Sequence, residues 1–403
     1  MNMIDLNKNF FHRLYSEVYL EDNMRFHACI VTTEEDKEFI KSTKEAQCYQ
    51  SLNLKTALLR LTDGRTFLAI NGSPQFEELP PGLKIQLLDE HAGAITILGG
   101  IGFLNFNNLD LMRDKNWNII DNNEAGSKDD VSNIEHSEIL ELVDDFSIYE
   151  IIQSPFDFTK ETVDRFLLLF LIMFNIGDTD KLAVKNELLS ILTTLDKFPF
   201  HLLHSSYISQ TWQYSYIDLY RCIELLYPIP RMIKLRKALS TRGDSINFPA
   251  IDFFKDVNDT LGWRENEQTG LENIVIESNA HCINTLFQIL ENVKVVNKKD
   301  TLIINELRKS EIMRDGNFKK IFEQARNLLT SIPPAEMPLI TDYKMKKCAK
   351  LIANFLYSAR NELVHYRTHG NNYSENQIKA AFKAMVILIN DAYHKHELEA
   401  YPL

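Results

Sequence analysis

Basic charge is scarce in this chain. Its 44 Lys and Arg face 56 Asp and Glu, for a formal net charge of −12. Proteins that hold nucleic acid along a broad surface carry a basic excess, because phosphate neutralisation supplies much of their affinity. That mode is excluded here, and any RNA contact must come from a local basic patch. The five cysteines, Cys29, Cys48, Cys222, Cys282 and Cys348, are far apart and form no C-x-x-C pair. A zinc site or a disulfide framework is therefore not expected, and a reducing cytoplasm is. Long apolar runs are missing too. The longest, Phe166 to Phe174, is too short to span a bilayer and reads as a buried helix, so no membrane is expected as a partner. The first residues have charges scattered through them and no apolar core, so a secretory leader is not expected. No G-x-G-x-x-G opens a helix, no H-E-x-x-H occurs, and no internal repeat is seen.

What is present is ordinary globular material in two styles. The 403 residues imply two or three domains, and 45% hydrophobic with 25% charged residues rules out disorder, collagen and coiled-coil arrays. The first third reads as mixed α/β. "LKTALLRLTDGRTFLAI" predicts a hairpin, two strand-like runs joined by Asp63-Gly64, the favoured type I′ pair. "LKIQLL" and "AITILGGIGFL" read as further strands, with Gly99, Gly100 and Gly102 marking a turn or bulge. Residues 121–138 are polar, mostly acidic, and read as a linker or loop. Beyond them "EILELVDDF", "KETVDRFLLLFLIMFNI" and "DKLAVKNELLSILTTLD" have helical spacing.

From Tyr207 onward the sequence predicts helices only. These are "QTWQYSYIDLYRCIELLY", the basic "RMIKLRKALSTR", "NIVIESNAHCINTLFQILENV", "NFKKIFEQARNLLTSI", and a final pair, "MKKCAKLIANFLYSARNELVHYR" and "ENQIKAAFKAMVILINDAYHKH". Ser374 and Gln377 form a capping box that fixes the start of the last helix. The expected fold is α+β. A β-containing sensor or regulatory domain over 1–120 is followed by the acidic linker over 121–138, a helical connector over 139–206 and an all-α bundle over 207–403.

One constellation carries chemistry. On a helix through "KMKKCAKLIANFLYSARNELVHYR", Met345, Cys348, Ile352, Phe355, Leu356, Ala359 and Leu363 form a core stripe. Asn354, Ser358, Asn361 and His365 form a second, polar line, on which Asn361 and His365 are i,i+4 neighbours. Arg360 stands beside them, but five residues from His365 it lies about 140° around the axis. These residue types suit phosphodiester cleavage. Imidazole moves protons near neutral pH. Guanidinium holds two phosphate oxygens and stabilises charge on the phosphorane. The Asn361 amide can orient the imidazole, and neither a metal nor a cofactor is called for. The spacing alone arises often by chance. Its place at the end of a long amphipathic helix, before one capped helix, sharpens it.

"SARNELVHYR" resembles the R-N-x-x-x-H signature of the HEPN superfamily, all-α domains common in prokaryotic defence and toxin systems. The resemblance covers roughly 207–403. "YSYIDLYRCIELLY" is similar to the family's opening helix, whose aromatic face carries an Arg and a Glu, here Arg221 and Glu224. A β-containing domain before such a bundle is the layout of ApeA-type members. The resemblance implies a homodimer in which two sets of Arg360, Asn361 and His365 form one metal-independent endoribonuclease site. Such a composite would also bridge the 140° offset. Glu224, Ser358 and Tyr366 would support it. Relatives with a modified tyrosine have it two places after the histidine; here that place holds Arg367.

Blander readings stand beside these. Arg360 and Asn361 also suit a solvated helix face, and His365 a partner of the helix C-terminus. Glu224 also suits a salt bridge. Arg231, Lys234, Arg236 and Lys237, with Arg367, are either a solvated face or a track for RNA backbone. Lys344, Lys346, Lys347 and Lys350 suit the start of a helix, His394 and His396 carry no specific role, and "YSYIDLY" reads as packing. Two functions remain: a HEPN-class endoribonuclease in antiviral defence or as a toxin-like effector, whose N-terminal domain meets a trigger or regulatory partner, or a non-catalytic dimeric HEPN-like module binding a nucleotide, RNA or a protein. No catalytic set is visible in the first domain, where His27, Cys29 and His91 look isolated.

Overall fold

The computed structural model describes residues 2–19, 24–72, 78–88, 91–107, 110–111, 115, 117–121, 131–230, 233, 267–290, 343–364 and 373–400. The chain divides into two compact units, Met1–Ile176 and Gly177–Leu403. The fold is α+β: sheets and helices in the first unit, helices alone among the described residues of the second.

The first unit runs α1 (Met3–Tyr19), β1 (Met24–Phe26), β2 (Ala28–Ile30), α2 (Glu34–Ser42), β3 (Thr43–Ser51), β4 (Leu54–Leu61), β5 (Thr66–Asn71), β6 (Lys84–Leu87), α3 (Ala92–Gly100), β7 (Ile119–Asp121), β8 (Ser132–Ile134), α4 (His136–Leu140), β9 (Phe146–Gln153) and α5 (Val163–Met173). Its main sheet has the order β3-β4-β5-β9-β6, antiparallel throughout. The expected hairpin is β4 and β5, with Leu58 opposite Leu68. Ala57, Leu58 and Leu59 are all buried, so β4 is covered on both faces, and its sequence runs apolar instead of alternating.

Four expectations need correction. The hairpin turn is not type I′, which needs two central residues at positive φ; only Gly64 has one, +94°. Asp63 is held by Arg65 instead, accepting from its N–H at 2.9 Å and its Nε at 2.8 Å. "AITILGGIGFL" is not a strand but α3, buried at every position from Ala92 to Gly100. A helix buried all round has no polar face, so its period cannot be read. Gly99 and Gly100 serve packing, not a bulge: added Cβ atoms would stand 2.1 Å from the Phe10 ring and 2.6 Å from Leu6 of α1. Gly102, at φ +78°, does make the turn. The stretch read as linker contains β8, which pairs in parallel with β2 through Cys29 and Asn133. The stretch read as helical connector contains β9, which joins β5 to β6 inside the sheet. Residues 122–130 lie outside the described residues.

The second unit runs α6 (Thr179–Leu182), α7 (Lys185–Thr194), α8 (Phe200–Ile208), α9 (Trp212–Glu224), α10 (Glu267–Glu277), α11 (Ala280–Leu290), α12 (Tyr343–Val364) and α13 (Glu375–Ala400). Tyrosine hydroxyls tie α9 into it. Tyr216 donates to the Leu356 carbonyl of α12, and Tyr393 of α13 donates to the Cys222 carbonyl, each at 2.8 Å. Trp212 meets Phe382 of α13 edge-on at 5.3 Å. Lys181 is buried, and its Nζ donates to the carbonyls of Ser206, Tyr207 and Ser209 at 3.1, 2.7 and 2.8 Å. A cation thus closes the negative end of α8. The capping box forms as expected: Ser374 N–H donates to Gln377 Oε1 at 2.7 Å, and Gln377 N–H to Ser374 Oγ at 3.4 Å. The helix expected over "NIVIESNAHCINTLFQILENV" is two helices. Asn279 divides them by accepting from Cys282 N–H at 2.8 Å, a cap on α11. "RMIKLRKALSTR", apart from residue 233, and "NFKKIFEQARNLLTSI" lie outside the described residues.

Candidate functional site

The C-terminal end of α12 brings Arg360 and Asn361 to a junction with α9 and α10. α12 is amphipathic as expected: Ile352, Phe355, Leu356 and Ala359 are buried. Its polar line is not an open face throughout. Asn354 is only 1% exposed, while Ser358 and Asn361 are half-buried. Leu363, placed on the core stripe, is half-buried near the helix end.

Arg360 is the centre of the junction. Its Nη1 donates to Asn361 Oδ1 at 3.2 Å. Its Nη2 donates to Glu267 Oε1 at 3.3 Å and lies 3.6 Å from Glu224 Oε1. Its guanidinium carbon sits 5.6 Å from the centre of the Tyr220 ring. One arginine therefore faces two carboxylates and an aromatic face, a set with net negative charge. Burial raises the Glu224 pKa; Arg360 opposes that rise and the Glu267 carboxylate adds to it. The Tyr220 hydroxyl is pushed well above its ordinary range, again chiefly by burial. It stays protonated, and its ring serves as a neutral π surface for the cation. A second pair, Lys350 with Glu272 at 3.1 Å, also joins α10 to α12. Arg360 and Lys350 meet Glu267 and Glu272 in reverse sequence order, so the two helices run antiparallel.

Of the residues expected at the site, the structure brings Arg360, Asn361 and Glu224 together. Arg221 points elsewhere, exposed and paired with Asp218 at 3.1 Å. Ser358 shares the polar line of α12. His365, Tyr366, Arg367, Arg231, Lys234, Arg236 and Lys237 lie outside the described residues. Sequence reading missed Glu267 and the cation-facing role of Tyr220. Tyr220 reads as packing, which it also does at 1% exposure. Glu267 lies 93 positions from Arg360. A lone glutamate in a polar stretch carries no local signal that it will meet that arginine.

Among the described residues, no three of His, Cys, Asp and Glu are placed to hold a metal ion. No helix among them is long and apolar enough to cross a membrane. No protein-family model, no curated protein and no solved structure matches this chain.

Proposed function

We propose that the second unit is a metal-independent endoribonuclease of the HEPN class, acting in antiviral defence or as a toxin-like effector in the cytoplasm. The observation that carries this reading is Arg360 and Asn361 in mutual contact at the end of α12, with Glu224 of α9 against the same guanidinium. That is the R-N pair of the sequence signature beside the glutamate of the opening helix.

The chemistry assigns each group a task. In the attack step the 2′-oxygen forms a bond to phosphorus and the P–O5′ bond breaks, leaving a 2′,3′-cyclic phosphate. A base takes the 2′-hydroxyl proton, and an acid delivers one to the departing 5′-oxygen. His365 is the imidazole for these transfers. Arg360 takes the non-bridging phosphate oxygens as negative charge grows on them. Asn361 holds the guanidinium through its carbonyl oxygen, which leaves its NH2 to orient an imidazole. The offset of Arg360 and His365 around one helix calls for two copies, so the active form is a homodimer with a composite site. Arg231, Lys234, Arg236, Lys237 and Arg367 would guide the RNA backbone, and the first unit would receive the trigger.

One observation favours a second reading. Arg360 is already occupied by Glu267 and Glu224, as expected of a structural clasp in a non-catalytic module that binds a nucleotide, RNA or a protein partner. The two readings separate in one assay. Full-length protein is incubated with RNA in EDTA beside Arg360→Ala, Asn361→Ala and His365→Ala. Cyclic phosphate ends, lost by at least about a hundredfold in the histidine variant, establish the nuclease, since general acid–base groups contribute roughly that much or more. RNA that binds but is never cut, including by protein co-expressed with phage, establishes the module.

A further inference from the structure

The first unit contains a cavity of about 420 Å³ among α3, α4 and strands β6 and β9. Its size suits a small organic ligand. Its walls are apolar, with Ile95 and Leu140 from the helices and Leu87 and Ile148 from the strands. The polar lining is His91, Asp144, Asp145 and Ser147, with no lysine or arginine among the described residues.

His91 is not the isolated residue that the sequence suggests. Its Nδ1 lies 2.9 Å from Oδ1 of Asp36, a buried carboxylate 55 positions away, while His91 itself is half-buried. Asp36 is itself built in. Its Oδ1 accepts from Gly93 N–H at 2.8 Å, and its Oδ2 accepts from the Thr33 N–H and hydroxyl, each at 2.8 Å. These donors hold the Asp36 pKa below the usual carboxylate range against the opposing effect of burial. His91 Nδ1 and Asp36 Oδ1 are in contact without forming a hydrogen bond, so the pairing is electrostatic. An ionised carboxylate beside Nδ1 still favours the proton on that nitrogen, which leaves Nε2 as an acceptor in the neutral ring. Phe39 packs on the imidazole at 4.6 Å and fixes its plane. Gly93 keeps the two segments together, because a Cβ there would stand 2.7 Å from the Asp36 carbonyl oxygen and 3.1 Å from the His91 ring.

We propose that this cavity binds a small molecule with an apolar body and a protonated amine, the body against Ile95 and Leu140 and the ammonium received by His91 and the rim carboxylates of Asp144 and Asp145. Among the described residues, every ionisable group lining the cavity is an acid or a histidine paired with an acid. An anion would meet like charge with no lysine or arginine among the described lining residues, whereas an ammonium matches the acceptors in sign and in donor count.

The test uses the full chain and three probes with one ring: phenethylamine, 2-phenylethanol and phenylacetate. Binding is followed by protein-detected NMR and calorimetry up to millimolar concentration. Phenethylamine is expected to bind saturably, with 2-phenylethanol weaker and phenylacetate at least about tenfold weaker, the ratio that one modest charge contact supplies. Leu140→Trp fills the cavity from a half-buried wall and should abolish binding. The Asp144→Asn, Asp145→Asn double variant changes two exposed side chains. It should weaken the amine severalfold and leave 2-phenylethanol unchanged. His91→Phe, which keeps the ring volume, should also weaken the amine. No saturable amine binding, equal affinity for the amine and phenylacetate, amine binding unaltered in the double variant, or amine binding retained by a folded Leu140→Trp would each overturn the proposal.

Discussion

Arg360 shows how much one side chain can be asked to do. Its guanidinium is shared between Asn361, two glutamates and the Tyr220 ring, so any phosphate it receives must displace a carboxylate. Glu267 is the more exposed of the two acids. Glu267→Gln should therefore free the guanidinium at little structural cost. RNA affinity, measured by filter binding at fixed salt, should rise by up to about fivefold, the equivalent of the ~1 kcal/mol that a partly exposed ion pair contributes; unchanged or weaker binding would place Arg360 away from the phosphate path. A second residue, His396, bears on stability. Burial pushes its pKa down to about 4, and Lys395 adds to that, despite Glu277 Oε2 at 3.6 Å. The unfolded chain binds this proton near pH 6.5 and the folded chain only near 4. Stability is therefore full above the unfolded value and is lost as pH falls from 6.5 toward 4, by up to about 3 kcal/mol. Urea unfolding across that range should show the slope, and His396→Gln should flatten it.

At the scale of elements, close backbone approach explains what periodicity could not. α1 and α3 touch through Gly99 and Gly100, where no Cβ fits beside Phe10 and Leu6. Gly99→Ala should cost about 1–3 kcal/mol, as overpacking of a tight contact does, with the thermal midpoint of the first unit falling accordingly. The same contact shows why α3 was illegible: its apolar β-branched run fits a buried strand equally well, and only the packing partner decides. β9 was hidden for a related reason. "FSIYEIIQ" follows a stretch with helical spacing, and its place between β5 and β6 depends on pairing with residues some eighty positions earlier. The second unit was more legible, because long amphipathic helices, with a cap such as Ser374 at the start of the last, declare themselves locally. Of the site, Arg360, Asn361 and Glu224 could be named from the signature, while Glu267 and the Asp36–His91 pair could not. Those contacts join residues that share no motif.

At the scale of the whole molecule, each unit has its own core, and charge is spread against the polymer it is proposed to cut. Residues 177–403 expressed alone should fold, giving a helical circular dichroism spectrum and a cooperative melt, and should retain RNA cleavage in EDTA, whereas residues 1–176 should have none. Loss of cleavage in a well-folded 177–403 fragment would assign the first unit a direct part in the reaction. With a net charge of −12, the proposed RNA binding would rest on a few contacts, so its salt slope should be shallow.

The tyrosine ties of α9 have a further consequence during synthesis. Tyr216 must wait for the carbonyl of Leu356, 140 residues later, and Cys222 for the hydroxyl of Tyr393, 171 residues later. A ribosome adding about 5–20 residues per second needs roughly ten to thirty seconds to make those segments. For that interval Tyr216, Leu219, Tyr220 and Ile223, all buried in the finished unit, lack the cover that α12 and α13 supply, although α8 is already made. A chain halted before α12 therefore presents α9 without the α12 and α13 faces that help bury it in the finished unit.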